Sequence, residues 1–202
     1  YACAGCGALT NVTFAGHAPE AAQSAFYASD KVFVYYYTGT AGWKNLLAGR
    51  PTVMLGEDGS EAVLSFAAWS VRNGLAASSG LDDDSQSALF GAPSAALPGL
   101  ANGSVYAFGD HLTAADQTSL LWIQMADDGT PVVVTPALAE GVESYVAMTV
   151  EGAAVLPAAQ WDLPLASVEL SDQTRAGFTP AVSEGEALPQ QAFFRLRLDL
   201  HE

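Results

Sequence analysis

Apolar and polar positions along the chain fall into a few local patterns, and each predicts an element. Leu9, Val12 and Phe14 are closely spaced apolar anchors that fit a short ladder strand, which Gly16 breaks. Lys31 to Tyr37 is β-branched and aromatic almost throughout and predicts a second strand, ended by Thr38-Gly39. Gly56 to Ser60 reads as a turn. Asp58 followed by Glu61 has capping-box spacing, so a helix is expected from Glu61 to Asn73, with Gly74 as its stop. Ala62, Phe66 and Trp69 recur at helical spacing and would dock that helix on a β core. No period survives from Ser78 to Gly103, where Ala, Ser, Gly and Pro surround Asp82-Asp83-Asp84, and a loop is expected.

Short strands and turns then alternate. Ser119–Met125, Pro131–Thr135, Ser144–Val150, Ala166–Leu170 and Gln191–Leu200 are strand candidates, separated by Asp127-Asp128-Gly129, Glu140-Gly141 and Pro-containing stretches. In the last of them Phe194, Leu196, Leu198 and Leu200 share one face, with Arg195, Arg197 and Asp199 on the other. So regular a strand is expected to be central or tightly paired. The spacing favours antiparallel strands in a β-sandwich.

Composition narrows the class. Half of the 202 residues are apolar, enough to bury a real core, so disorder is not expected. Lys plus Arg number 7 against 22 Asp plus Glu, a net charge of −15 that repels phosphate backbones and anionic headgroups. Nucleic-acid binding and membrane insertion are therefore not expected. No apolar run approaches the roughly 20 residues that span a bilayer. The acidity suits an extracellular protein or one that meets divalent cations, and serves solubility equally. The chain begins with Tyr1 and shows no signal-peptide pattern, so processing or a larger parent is expected. Asn11-Val12-Thr13 and Asn102-Gly103-Ser104 match the short glycosylation sequon.

Candidate chemistry is sparse. Cys3 and Cys6 are three apart, which leaves two buried or partly buried free thiols, a local disulfide or a metal open. Free thiols fit best, because no second CxxC pair completes a zinc set and the pair precedes a strand rather than opening a helix. No phosphate-cradling glycine loop, HExxH pair or GxSxG elbow occurs. His17, His111 and His201 lie far apart in sequence, so no triad can be assigned from composition. Asp82, Asp83 and Asp84 are candidate calcium ligands, although Ser85 and Gln86 follow without the glycine and distal acid of a calcium loop. Tyr35, Tyr37 and Trp43 are candidate ligand-binding aromatics. Strand alternation sets Tyr35 and Tyr37 opposite Tyr36, so one side could offer rings to a sugar or a protein; the same residues equally suit a closing strand and its turn.

Two resemblances organise these observations. Gly5, Cys6, Leu9 and Val12 fall on the unit Ala-Phe-x-Gly-Cys-x-x-Leu-x-x-Val-x-Phe of the bacterial BspA-type leucine-rich repeats, with Cys3 standing where that family has Phe. Gly16-His17-Ala18-Pro19, Val32 to Trp43 and Ala48-Gly49-Arg50-Pro51-Thr52 resemble the segment that closes such arrays. Further on, Leu100 to Gly103, Tyr106 to Gly109 and Phe193 to Leu198 resemble a C-terminal module of secreted proteins of Verrucomicrobia and related bacteria, less specifically. The resemblance implies a terminal leucine-rich-repeat unit with its closing strand over 1–55, a helix and acidic linker over 56–110, and a β-sandwich module over 111–202. A solenoid buries its core only by stacking neighbours, so a terminal unit carries a raw edge.

The expected class is thus mainly β, a terminal solenoid unit followed by a short helix and a β-sandwich. The expected role is non-catalytic: adhesion, recognition or display, secreted or on a bacterial cell surface, with a protein or glycan partner. The alternatives are a self-assembling subunit of a filament or sheath, joined through open ladder edges, and a carbohydrate-binding accessory module of a secreted hydrolase.

Overall fold

A computed structural model of the chain describes residues 3–154, 161–181 and 191–201. The chain is mainly β, with three short helices among the described residues. The first sheet holds β1 (Asn11–Phe14), β2 (Phe33–Tyr37), β3 (Leu46–Leu47), β4 (Arg50–Leu55) and β5 (Glu61–Leu64). β1 runs parallel to β2, and β2 parallel to β4; β3 and β5 then pair antiparallel with β4. The described residues form neither a barrel nor a leucine-rich-repeat solenoid, which corrects the solenoid expectation. What they form is three parallel strands closed on one side by antiparallel ones.

The helix expected from Glu61 begins later, and hydrogen bonding explains why. Asp58 Oδ1 accepts from the Ser60 backbone N–H at 2.9 Å and from its hydroxyl at 2.6 Å, so it is satisfied inside a hairpin turn and caps nothing. Glu61–Leu64 pairs with the free side of β4 instead. The buried Ser65 is the true cap, its hydroxyl accepting from the Ala68 N–H at 3.1 Å at the start of α1 (Phe66–Arg72), and Gly74 follows the helix in the left-handed region.

The loop expected from Ser78 to Gly103 contains a second helix and the start of a third. Asp82 and Ser85 form a reciprocal capping box opening α2 (Asp83–Gly91), and the acids in its first turn suit the positive end of the helix dipole. α3 (Asn102–Phe108) is buried at every residue but Val105, so it has no polar face and leaves no helical period in the sequence. Gly103 lets the helices close: a Cβ there would meet the Phe90 ring at 2.5 Å.

A four-stranded antiparallel sheet follows in the order β6 (Trp122–Met125), β7 (Pro131–Pro136), β10 (Arg175–Pro180) and β9 (Leu165–Val168). β6, β7 and β9 fall on expected strands, whereas β10 falls on none. Gly177 and the closing Pro180 mask it in the sequence, yet Gly177 is where Val168 and Leu170 come close. The sheet is tied to the chain before it by an ion pair. Fully buried Asp116 accepts from the Arg175 guanidinium at 3.1 Å and from the Thr113 N–H at 2.6 Å, while that guanidinium lies 4.9 Å from the Trp122 ring. β8 (Val146–Ala153) and β11 (Phe193–Leu200) make a separate two-stranded ribbon paired over its whole length. The final strand is tightly paired, as expected, but not central.

The main core differs from two facing sheets. Tyr145, Val146, Met148, Leu196, Leu198 and Leu200 of the ribbon region join Phe66, Phe90, Tyr106 and Phe108 of the helices, together with Tyr36 of the first sheet. The ribbon therefore packs on helices and on the first sheet. This core draws on all of the segments 1–55, 56–110 and 111–202. A smaller one holds Phe26, Val32 and Val34, with Val12 and Phe14 against them.

Candidate functional site

Alternation along β2 places its three tyrosines as expected, with Tyr36 buried and Tyr35 and Tyr37 on the other face. Trp43 does not join the latter pair. It stacks on Tyr36 with ring centroids 4.5 Å apart and planes 6° from parallel, and its ring lies 5.5 Å from Phe14. The three candidate aromatics thus do not make one surface: Trp43 is a packing residue beside both cores.

Tyr35 does belong to a polar cluster. Its hydroxyl donates to Glu61 Oε1 at 3.1 Å, and both oxygens of that carboxylate accept from the Arg72 guanidinium at 2.6 Å. Arg72 in turn lies 5.6 Å from the Phe33 ring. The Arg72 hydrogen bonds hold the Glu61 carboxyl below its ordinary range, while burial, then the Glu61 carboxylate, push the Tyr35 phenol up. Each of these groups has its partner, so the cluster clasps β2, β5 and the end of α1 together.

The acidic run is accounted for by the helix it opens. Asp82 Oδ1 accepts from the Ser85 N–H at 2.7 Å, and that bond holds its carboxyl low. Among the described residues no group of three or more His, Cys, Asp or Glu is arranged to hold a metal ion, and Asp82, Asp83 and Asp84 stand at the start of α2. Cys3 and Cys6 are both free thiols, Cys3 partly buried as expected but Cys6 exposed, and the backbone around them is held by Ser29, whose hydroxyl donates to the Cys3 carbonyl at 2.6 Å and accepts from the Cys6 N–H at 2.9 Å. His17 accepts from the Ala41 N–H at 2.9 Å; the rings of His111 and His201 lie against the Ala137 and Ser144 carbonyls at 2.9 and 3.3 Å. These are backbone contacts, and the three rings lie against different segments of the chain.

The most distinctive feature is the open side of the first sheet. Among the described residues β1 is bonded to β2 alone. Val12 and Phe14 turn toward the smaller core, and Asn11 and Thr13 are exposed. Beside this strand lies an apolar cavity of about 270 Å³ lined by Cys3, Val12, Phe14, Pro19, Ala25 and Leu47, among others. A raw edge was expected only from the repeat resemblance. The cavity was not, because Pro19, Ala25 and Leu47 reach it from three separate segments. What the geometry offers is a row of backbone donors and acceptors flanked by an apolar hollow, which suits the addition of a strand. No family model, curated protein or solved structure matches this chain.

Proposed function

We propose that the chain is a non-catalytic recognition or display module of a secreted or cell-surface protein, and that its β1–β2–β4 ladder ends a stack of similar units by receiving one more parallel strand on β1. The observation that carries this reading is the one-sidedness of the ladder. Asn11 lies beside Phe33 and Val34 beside Thr52, so neighbouring strands are about 20 residues apart in sequence, the period of short solenoid units. The β1 side is open and apolar, whereas the β4 side is occupied by antiparallel β3 and β5. The resemblance to closing segments of leucine-rich-repeat arrays and the acidity support the same reading.

That asymmetry weighs against the filament reading. Head-to-tail stacking of copies needs two complementary open edges, and among the described residues this ladder has one. The glycan reading loses its aromatic platform, since Trp43 is packed against Tyr36 rather than set beside Tyr35 and Tyr37.

A duplicate of residues 1–22 placed ahead of residue 1 tests the proposal. The added strand is expected to seat on β1, protect the Asn11–Phe14 amides from exchange and raise the unfolding midpoint by about 3–6 °C. Unprotected amides and an unchanged midpoint would overturn it. Turnover of any substrate that depended on residues of this chain would overturn the non-catalytic assignment.

A further inference from the structure

A second strand edge, that of β11, has a different character. Among the described residues β11 is bonded to β8 alone, from Phe193 beside Ala153 to Leu200 beside Val146. Along it runs a groove of about 310 Å³ lined by Ser87, Phe90, Gly91, Leu198, Asp199 and Leu200. Leu196, Leu198 and Leu200 are only partly buried against the main core, and on the opposite face Arg197 is exposed and Asp199 half-buried, with 59% and 43% of their side-chain surface accessible.

The sequence of this strand is symmetric in polarity and antisymmetric in charge about one residue. Leu196-Arg197-Leu198-Asp199-Leu200 reads the same in both directions except that Arg and Asp exchange places. From these facts we infer that β11 is a self-complementary edge, through which two copies of the chain pair antiparallel about a two-fold axis at Leu198.

Register selects this arrangement. With Leu198 opposite its own copy, Leu196 faces Leu200 of the second copy and Arg197 faces its Asp199, so the apolar faces align and opposite charges meet twice. A shift by one residue sets leucines against charges and turns one apolar face to solvent. A shift by two sets Asp199 opposite itself or Arg197 opposite itself, each a repulsive cross-strand pair; the Arg197 register also sets Arg195 opposite Asp199, but that guanidinium is engaged with Glu151. A two-fold operation generates antiparallel neighbours in a sheet, so the result would be a four-stranded sheet made of two β8–β11 ribbons. The rest of the chain sharpens the point. A surface at −15 repels its own copy, and two of its 7 basic residues, Arg195 and Arg197, lie on this one strand. Arg195 is engaged with Glu151 at 2.5 Å and lies 4.3 Å from the Trp161 ring, which leaves Arg197 for the neighbouring copy's Asp199. Within one chain Arg197 and Asp199 contact each other at 2.8 Å, so the dimer exchanges two such contacts, one in each copy, for two across the axis.

Charge reversal tests the inference by sedimentation velocity over a concentration series, with melting midpoints as the control for folding. The unsubstituted chain is expected to dimerise. Arg197→Asp and Asp199→Arg should each weaken the dimer about tenfold or more, by placing like charges opposite one another twice. The second substitution makes the chain less acidic, so a merely global charge effect would tighten the dimer and not weaken it. Mixing the two single variants should restore the dimer as a heterodimer, because one variant carries acids at both of these positions and the other carries arginines at both, so opposite charges again meet twice. A monomer at every concentration would overturn the inference, as would a dimer indifferent to both substitutions or two variants that stay apart when mixed. The outcome is independent of the β1 edge, since the duplicated-unit protein keeps β11 unchanged.

Discussion

Tyr36 and Tyr145 are 109 positions apart, and their hydroxyls hydrogen bond to each other inside the core. Burial pushes both phenols up, so each is neutral wherever the fold persists near neutral pH. Removing one hydroxyl leaves the other without this partner in a dry site. Tyr36→Phe is therefore expected to lower stability by about 1–2 kcal/mol in a urea titration, Tyr145→Phe by a similar amount, and the double variant by less than the two together. The face assignment of Tyr35, Tyr36 and Tyr37 was legible, because strand alternation is a property of the backbone. The place of Trp43 was not, because it follows a turn at Gly42 in the left-handed region, past which no period carries over.

Capping-box spacing in the sequence puts the start of the helix at Asp58 and Glu61, and Ser65 is a start that only the structure shows. The hydrogen bonds decide for Ser65. Ser65→Ala is expected to cost about 1 kcal/mol and to loosen α1, while Asp58→Ala should affect only the hairpin turn and cost less, as followed by chemical denaturation and amide exchange at Ala68. The missed elements have distinct reasons. α2 buries only Gln86 and Phe90, a stripe too thin to register as a period, and α3 is buried almost all round, which erases the period from the other direction. Glu61–Leu64 became a strand because β4 had an unfilled side, a fact about a neighbour that the local sequence does not contain.

The stability of the whole molecule should fall at both ends of the pH scale. At the acid end, hydrogen bonds hold Glu61, Asp58, Asp82, Asp128 and Asp172 below their ordinary values, to Arg72 for the first and to nearby serine or threonine groups for the others. The unfolded chain then takes up protons first. The stabilisation is complete above about pH 5 and is lost as pH falls through about 4 and below. At the alkaline end burial raises Tyr36, Tyr106 and Tyr145, so the unfolded chain loses protons first and stability declines above about pH 10. A melting-midpoint profile checks both: a plateau across neutral pH with descents at both ends is expected, and a midpoint that stayed level to about pH 2 would show that these bonds do not survive in solution.

The sequence by itself determined the mainly β class, the approximate positions of β1, β2, β6, β7, β8, β9 and β11, and the two-faced character of β11. Those follow from alternation, β-branched content and turn residues, which act within a few positions. Tertiary structure alone decided that the ribbon packs on helices, that the acidic run opens a helix, that Trp43 is used in packing, and that an apolar hollow flanks β1. Each of these depends on which distant surface was available to bury or to bond. Arg197 and Asp199 show both levels in one place: their order along the strand is written in the sequence, but only an edge left open by the fold makes that order a pairing code.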